Sequence, residues 1–93
     1  MNRHDPAIKL TTFCDELYAV TRLGKLLRML PALGWRVEFT IEGDSIIDVH
    51  SHRGELYLLT EAGNMYQGKL MSPREDGWSP HVVFQSLGEV VAD

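Results

Sequence analysis

The chain has 93 residues, enough for one domain near the small end of what folds alone. Its apolar share of 44% and charged share of 24% are those of an ordinary globule, which excludes an intrinsically disordered segment. A formal net charge of -4 argues against a dedicated nucleic-acid binder, whose affinity rests on neutralising phosphates, and it suits docking on a basic partner.

Cys14 is the only cysteine, so neither an internal disulfide nor a cysteine-based zinc site can be built. The opening Met1-Asn2-Arg3-His4-Asp5-Pro6 lacks the charged-then-apolar order of a secretory signal. No apolar run approaches the ~18 residues a membrane span needs. The expected location is the cytoplasm.

Asp5-Pro6 offers a helix start, with an acceptor at the cap and proline at the first helical position. Thr12 followed by Asp15 and Glu16 offers a second, which would leave Ala7 to Thr11 extended, and both stay open. From Phe13 onward, Leu17, Val20, Leu23 or Gly24, Leu27 and Leu30 recur at three- and four-residue spacing, which predicts an amphipathic helix. Arg22, Lys25 and Arg28 fall on its polar side. Gly24 marks a kink or a break, and Pro31 and Gly34 stop the helix.

Trp35 to Glu42 alternates in the manner of a half-buried strand, its odd positions facing the core. Gly43-Asp44-Ser45 reads as a turn pairing Ile41 with Ile47 and Phe39 with Val49. A two-residue turn at Arg53-Gly54 sets Val49 opposite Leu58 and Ser51 opposite Leu56. The turn Glu61-Ala62-Gly63 sets Leu58 opposite Tyr66. Residues 71–80 form a long loop carrying Trp78, His81 to Ser86 a fifth strand, and 87–93 a short tail. No linker, low-complexity stretch or repeat long enough to carry an argument stands out. The expected fold is therefore α+β. A single domain, 1–93, places an N-terminal helix, whole or broken near Gly24, on one face of an antiparallel meander of about five strands.

Residues 46–70, with Gly54-Glu55-Leu56-Tyr57-Leu58-Leu59-Thr60-Glu61-Ala62-Gly63-Asn64-Met65-Tyr66 followed by Trp78, resemble a β-propeller blade. Blades repeat and the chain has room for one, so a propeller is excluded and the resemblance assigns no family.

On the outer face of the expected sheet, Glu38 falls opposite His50, His50 opposite Tyr57, and Tyr57 opposite Gln67. Asp48, His52 and Arg36 lie one step along. A carboxylate, an imidazole and a phenol in one row are groups that can move protons, although paired polar residues on a solvated sheet face are the commoner reason for such a row. His50 and His52 share a face, a spacing that zinc sites use, but a third ligand is needed, and no metal or other cofactor is assigned. Cys14 sits on the apolar side of the helical pattern and reads as a core residue. No glycine-rich phosphate loop, nucleophile elbow or HExxH pattern is present.

The more informative feature is apolar excess. With Leu56 and Leu58 facing the helix, Tyr57, Leu59, Met65 and Val83 point away from it, and one helix cannot cover both faces. The tail, the loop or the N-terminal segment folds over the second face, or that face meets a partner. The leading expectation is a small, acidic, non-enzymatic interaction module that binds a protein partner or itself. Its surface combines Tyr57, Leu59, Met65, His50 and Glu38 with Trp78 in the long loop. Inhibitors carried by phages and mobile elements, immunity proteins and small complex subunits share this size and lack of motif. The alternative is a metal-dependent or acid–base enzyme centred on His50, with Glu38, His52 and Tyr57. The third, ranked last for its charge, is nucleic-acid binding through Arg22, Lys25 and Arg28, helped by Arg36.

Overall fold

The computed structural model describes residues 4–71 and 81–92. Among them there is no helix. The described residues form eight strands: β1 (Ala7–Phe13), β2 (Glu16–Thr21), β3 (Leu26–Leu30), β4 (Gly34–Phe39), β5 (Ile46–His52), β6 (Glu55–Thr60), β7 (Asn64–Met71) and β8 (His81–Glu89). They make two four-stranded antiparallel meanders, β1-β2-β3-β4 and β5-β6-β7-β8. The fold is all-β, and this overturns the expected α+β arrangement and its N-terminal helix.

The helix expected from Phe13 to Leu30 is replaced by the end of β1, then β2 and β3. The reason lies in the residues. Leu17 and Ala19 occupy one face of β2 while Tyr18 and Val20 occupy the other, so the strand carries no polar–apolar alternation. What remained was an accidental three-and-four spacing. Cys14 and Asp15, with φ of 53° and 66°, form a two-residue hairpin loop whose left-handed pair matches the strand twist. Cys14 is exposed there, not buried in a core. Gly24 closes the next turn at φ 90°, where a methyl group would fall 2.6 Å from Ser45 Cβ.

The chain then changes sheets. Thr40 to Ser45 carry it from the outer strand of one meander to β5, so β4 and β5 do not pair. The expected pairs Ile41–Ile47 and Phe39–Val49 are absent, and Trp35 and Val37 are 39% and 56% exposed rather than core. From β5 onward the expected register holds: Val49↔Leu58, Ser51↔Leu56 and Leu58↔Tyr66. The tail begins later than expected, because β8 continues to Glu89.

The two meanders are copies of one plan. Glu16-Leu17-Tyr18, Thr21 and Gly24 recur at one constant offset as Glu55-Leu56-Tyr57, Thr60 and Gly63. The first two strands of each sheet carry the same irregularity, between Ala7 and Lys9 and between Ile46 and Asp48. Thr21 and Thr60 are each 1% exposed, and their hydroxyls accept the backbone N–H of Lys25 (3.2 Å) and Asn64 (3.1 Å). The N–H of Leu23 donates to Asp5 Oδ1 (2.8 Å), and that of Ala62 donates to Asp44 Oδ1 (3.2 Å). Arg22 N bonds Pro6 O at 2.9 Å, as Glu61 N bonds Ser45 O at 2.8 Å. The chain therefore holds an internal repeat of a four-stranded unit, and the ground for excluding a second blade-like sheet falls away.

The sheets stack face to face. They approach most closely where β1 and β2 meet β5, and aromatic rings fill the space farther out. Phe39 stacks on Phe84 at 4.5 Å between ring centroids and meets Tyr66 edge-on at 5.8 Å. The core between them comprises Phe13, Tyr18, Val20 and Leu26 from the first sheet and Ile46, Val49, Leu56, Leu58 and Val82 from the second. Its burial is the main favourable term holding the two units together.

Candidate functional site

Register fixes which side chains share a face, because directly opposed residues point the same way. In the first sheet, Tyr18 lies opposite Arg28, and Val20 opposite Leu26. In the second, Tyr57 lies opposite Gln67, and Leu59 opposite Met65. These sets occupy equivalent places in the repeat, yet their surroundings differ. Tyr18, Val20 and Leu26 are 1%, 0% and 0% exposed, packed against the second sheet. Tyr57, Leu59 and Met65 are only half-buried, on the face that no sheet covers. His50, opposite Tyr57, completes the row and is exposed. Together with Asp48 and the tail residue Val90 they line a shallow groove of about 230 Å³.

The polar edge of each set is also repeated. Tyr57 Oη donates to Glu55 Oε1 at 2.9 Å, and Gln67 Nε2 donates to the same oxygen. The hydrogen bond from Tyr57 is the largest influence on the Glu55 carboxyl; desolvation opposes it, and the bond from Gln67 and the charge of Lys69 help to hold the group below the usual carboxylate range. In the first sheet, Arg28 stands where Gln67 stands and bonds Glu16 Oε1 at 3.0 Å. Its Nε lies 3.3 Å from Glu38 Oε1, close enough for an ion pair but without hydrogen-bond alignment. Burial works to lower the Arg28 pKa, and Glu38, Tyr18 and Glu16 together outweigh it. Burial pushes the Tyr18 phenol up to about 12.

Of the residues expected to form a binding surface, the structure brings together Tyr57, Leu59, Met65 and His50. Glu38 belongs to the other sheet, where it pairs with Arg28, so the expected Glu38–His50 pairing does not form. Trp78 lies outside the described residues. The proton-transfer row thereby loses its carboxylate, and Asp48 Oδ1 accepts the backbone N–H of Val49 at 2.8 Å. Among the described residues no group of three or more His, Cys, Asp or Glu side chains is placed to hold a metal ion. Arg22, Lys25 and Arg28 make no common helical face, since they lie in β3 and the turn before it, and Arg28 is held by two carboxylates.

A second surface escaped the sequence reading. The opposed positions Leu10, Ala19, Leu27 and Val37 share the outer face of the first sheet with Met29 and Trp35. Leu10 and Val37 are 62% and 56% exposed. The repeat of Glu-Leu-Tyr, Thr and Gly was the signal that could have revealed it. Each end of the stack thus presents an apolar sheet face.

No known protein family matches the chain, nor does any curated protein or solved structure with which it was compared. Among the described residues no helix is long and apolar enough to cross a membrane.

Proposed function

We propose that this chain is a non-enzymatic protein-interaction module whose binding surface is the outer face of the second sheet. Tyr57, Leu59 and Met65 form the centre of that surface, and His50 its rim. What supports the reading is the repeat: the equivalent residues of the first sheet, Tyr18, Val20 and Leu26, are wholly buried against a neighbouring sheet. Their counterparts on the second sheet, Tyr57, Leu59 and Met65, line a shallow apolar groove with a polar edge, which is the anatomy of a protein interface. Cys14, free and exposed at a hairpin, suits a reducing compartment, and we place the module in the cytoplasm.

The test is native mass spectrometry of tagged chain recovered from a lysate of its own source organism. The expected result is a stoichiometric protein partner, or a second copy, that is lost in a Leu59→Glu variant. A partner retained by that variant, or a bare monomer, would remove this surface from consideration.

A further inference from the structure

The repeat bears on what covers the outer face of the second sheet. The face by which the second sheet packs on the first includes Val49, Leu56 and Leu58, which are 5%, 0% and 1% exposed. Their equivalents in the first sheet are Leu10, Leu17 and Ala19, on the outer face at the opposite end of the molecule. The outer face of the second sheet repeats the inner face of the first, and the outer face of the first sheet repeats the inner face of the second. The likeness is one of plan rather than of every side chain: Tyr18, Val20 and Leu26 recur as Tyr57, Leu59 and Met65, while register puts His52 in the place of Phe13 and Gly88 in the place of Phe39, and Ala19, the equivalent of Leu58, is already buried.

We propose that a second copy of this chain docks the outer face of its first sheet onto the outer face of the second sheet, following the plan of the internal interface around Tyr57, Leu59 and Met65. The proposal rests on the interaction-module reading and names the partner of that same face. The contact is heterologous, head to tail, so each copy uses two different surfaces. The internal stack is wedge-shaped, closest at β1, β2 and β5, and repetition of a wedge turns the stack towards closure. Closed rings of four-stranded sheets hold about four to eight sheets, so a ring takes roughly two to four copies.

The tail marks the seat. Ile46 N, at the start of β5, bonds Gly24 O at 3.2 Å, and Val90 N bonds Gly63 O at 2.9 Å in the same manner. Val90 therefore stands where the first strand of a third sheet would begin, and it lines the groove beside Leu59 and Met65. In the docked copy that place belongs to Ala7, the equivalent of Ile46, so the tail is displaced on association. The tail acts as a weak competitor for its own docking site.

Sedimentation velocity with the full chain over a range of concentrations tests this, using Leu10→Glu and Leu59→Glu as one variant for each face. The expected result is one closed species of two to four copies for the parent chain. Each variant alone should be monomeric, and an equimolar mixture of the two should form a heterodimer, because one intact copy of each face survives. The heterodimer also shows that both variants fold. A chain ending at Glu89 should associate at several-fold lower concentration than the parent. A parent chain that stays monomeric overturns the proposal, as does a Leu10→Glu variant that still pairs with itself, which would mean a symmetric contact. If a Leu59-dependent partner of a different sequence is found in the lysate while the parent chain stays monomeric, the interaction-module reading stands and self-docking alone fails.

Discussion

Tyr18 and Tyr57 occupy the same position in two sheets of the same design, each following a Glu-Leu pair and each near the phenol-binding residue of the next strand, Arg28 or Gln67. One is buried and the other half-exposed. The sheets differ less in plan than in neighbours: the first has a sheet against this face and the second does not. An unremarkable row of surface residues thereby acquires a meaning that its composition could not give it, since its twin shows what such a row does when covered.

Substitutions at matched positions separate design from occupancy. The largest difference is expected for a buried charge. Leu26→Asp should cost on the order of 5 kcal/mol, a large part of the stability of a domain this size, whereas Met65→Asp should leave the monomer folded. Urea unfolding at low protein concentration reads both. Next come the turn glycines. Gly24→Ala combines left-handed strain with a clash against Ser45 and should cost roughly 3 kcal/mol. Gly63→Ala, whose nearest neighbour would be Glu89 Cγ at 3.9 Å, should cost about 1–2 kcal/mol, from strain alone.

The threonines share one role, accepting a backbone N–H within their own turn, and Thr60 in addition donates to Asp44. Thr21→Val and Thr60→Val each orphan a backbone N–H and should each cost about 1–2 kcal/mol by the same assay, with Thr60→Val the costlier of the two because Asp44 also loses a donor. A larger loss for Thr21→Val would mean that the shared backbone bond does not carry the same weight in the two turns.

The smallest effects are those of pH. The folded Tyr18 pKa, about 12, lies above the ordinary value of 10.0, so its contribution is complete below pH 10 and fades as pH rises towards 12. Tyr18→Phe should flatten that alkaline limb in pH-dependent melting. Asp44 is held below the ordinary carboxylate value by hydrogen bonds from Thr60 and then, against slight desolvation, from the backbone of Ser45 and Ala62. Its contribution is present above the ordinary value of 3.8 and is lost as pH falls through the folded value. Asp44→Asn should therefore weaken the acid dependence of the melting temperature slightly.

How far the sequence spoke depended on how many faces of each sheet are apolar. In the second sheet, polar residues such as His50, Glu55 and Gln67 alternate with Val49, Leu56 and Leu58, and the pairings from Val49↔Leu58 to Leu58↔Tyr66 could be read directly. In the first sheet, both faces of β2 and β3 are apolar around Leu17–Val20 and Leu26–Leu27, so the two-residue period vanished and a helix was read instead. The error at Glu38 had another source. Consecutive strands usually pair, but here the chain leaves one sheet for the next between Phe39 and Ile46. The binding face at Tyr57, Leu59 and Met65 was legible as apolar excess, while its counterpart at Leu10, Met29, Trp35 and Val37 was hidden by the helix assignment and by the supposed inward face of Trp35 and Val37.

The measurement that bears most directly on the repeat is the pair of unfolding free energies for Tyr18→Ala and Tyr57→Ala, taken by urea titration at concentrations where the chain is monomeric. The expected result is a loss of about 3–5 kcal/mol for Tyr18→Ala and less than about 1 kcal/mol for Tyr57→Ala, because only the first ring is covered by a neighbouring sheet. Equal losses would contradict it, for they would mean that the outer face of the second sheet is already filled within the monomer.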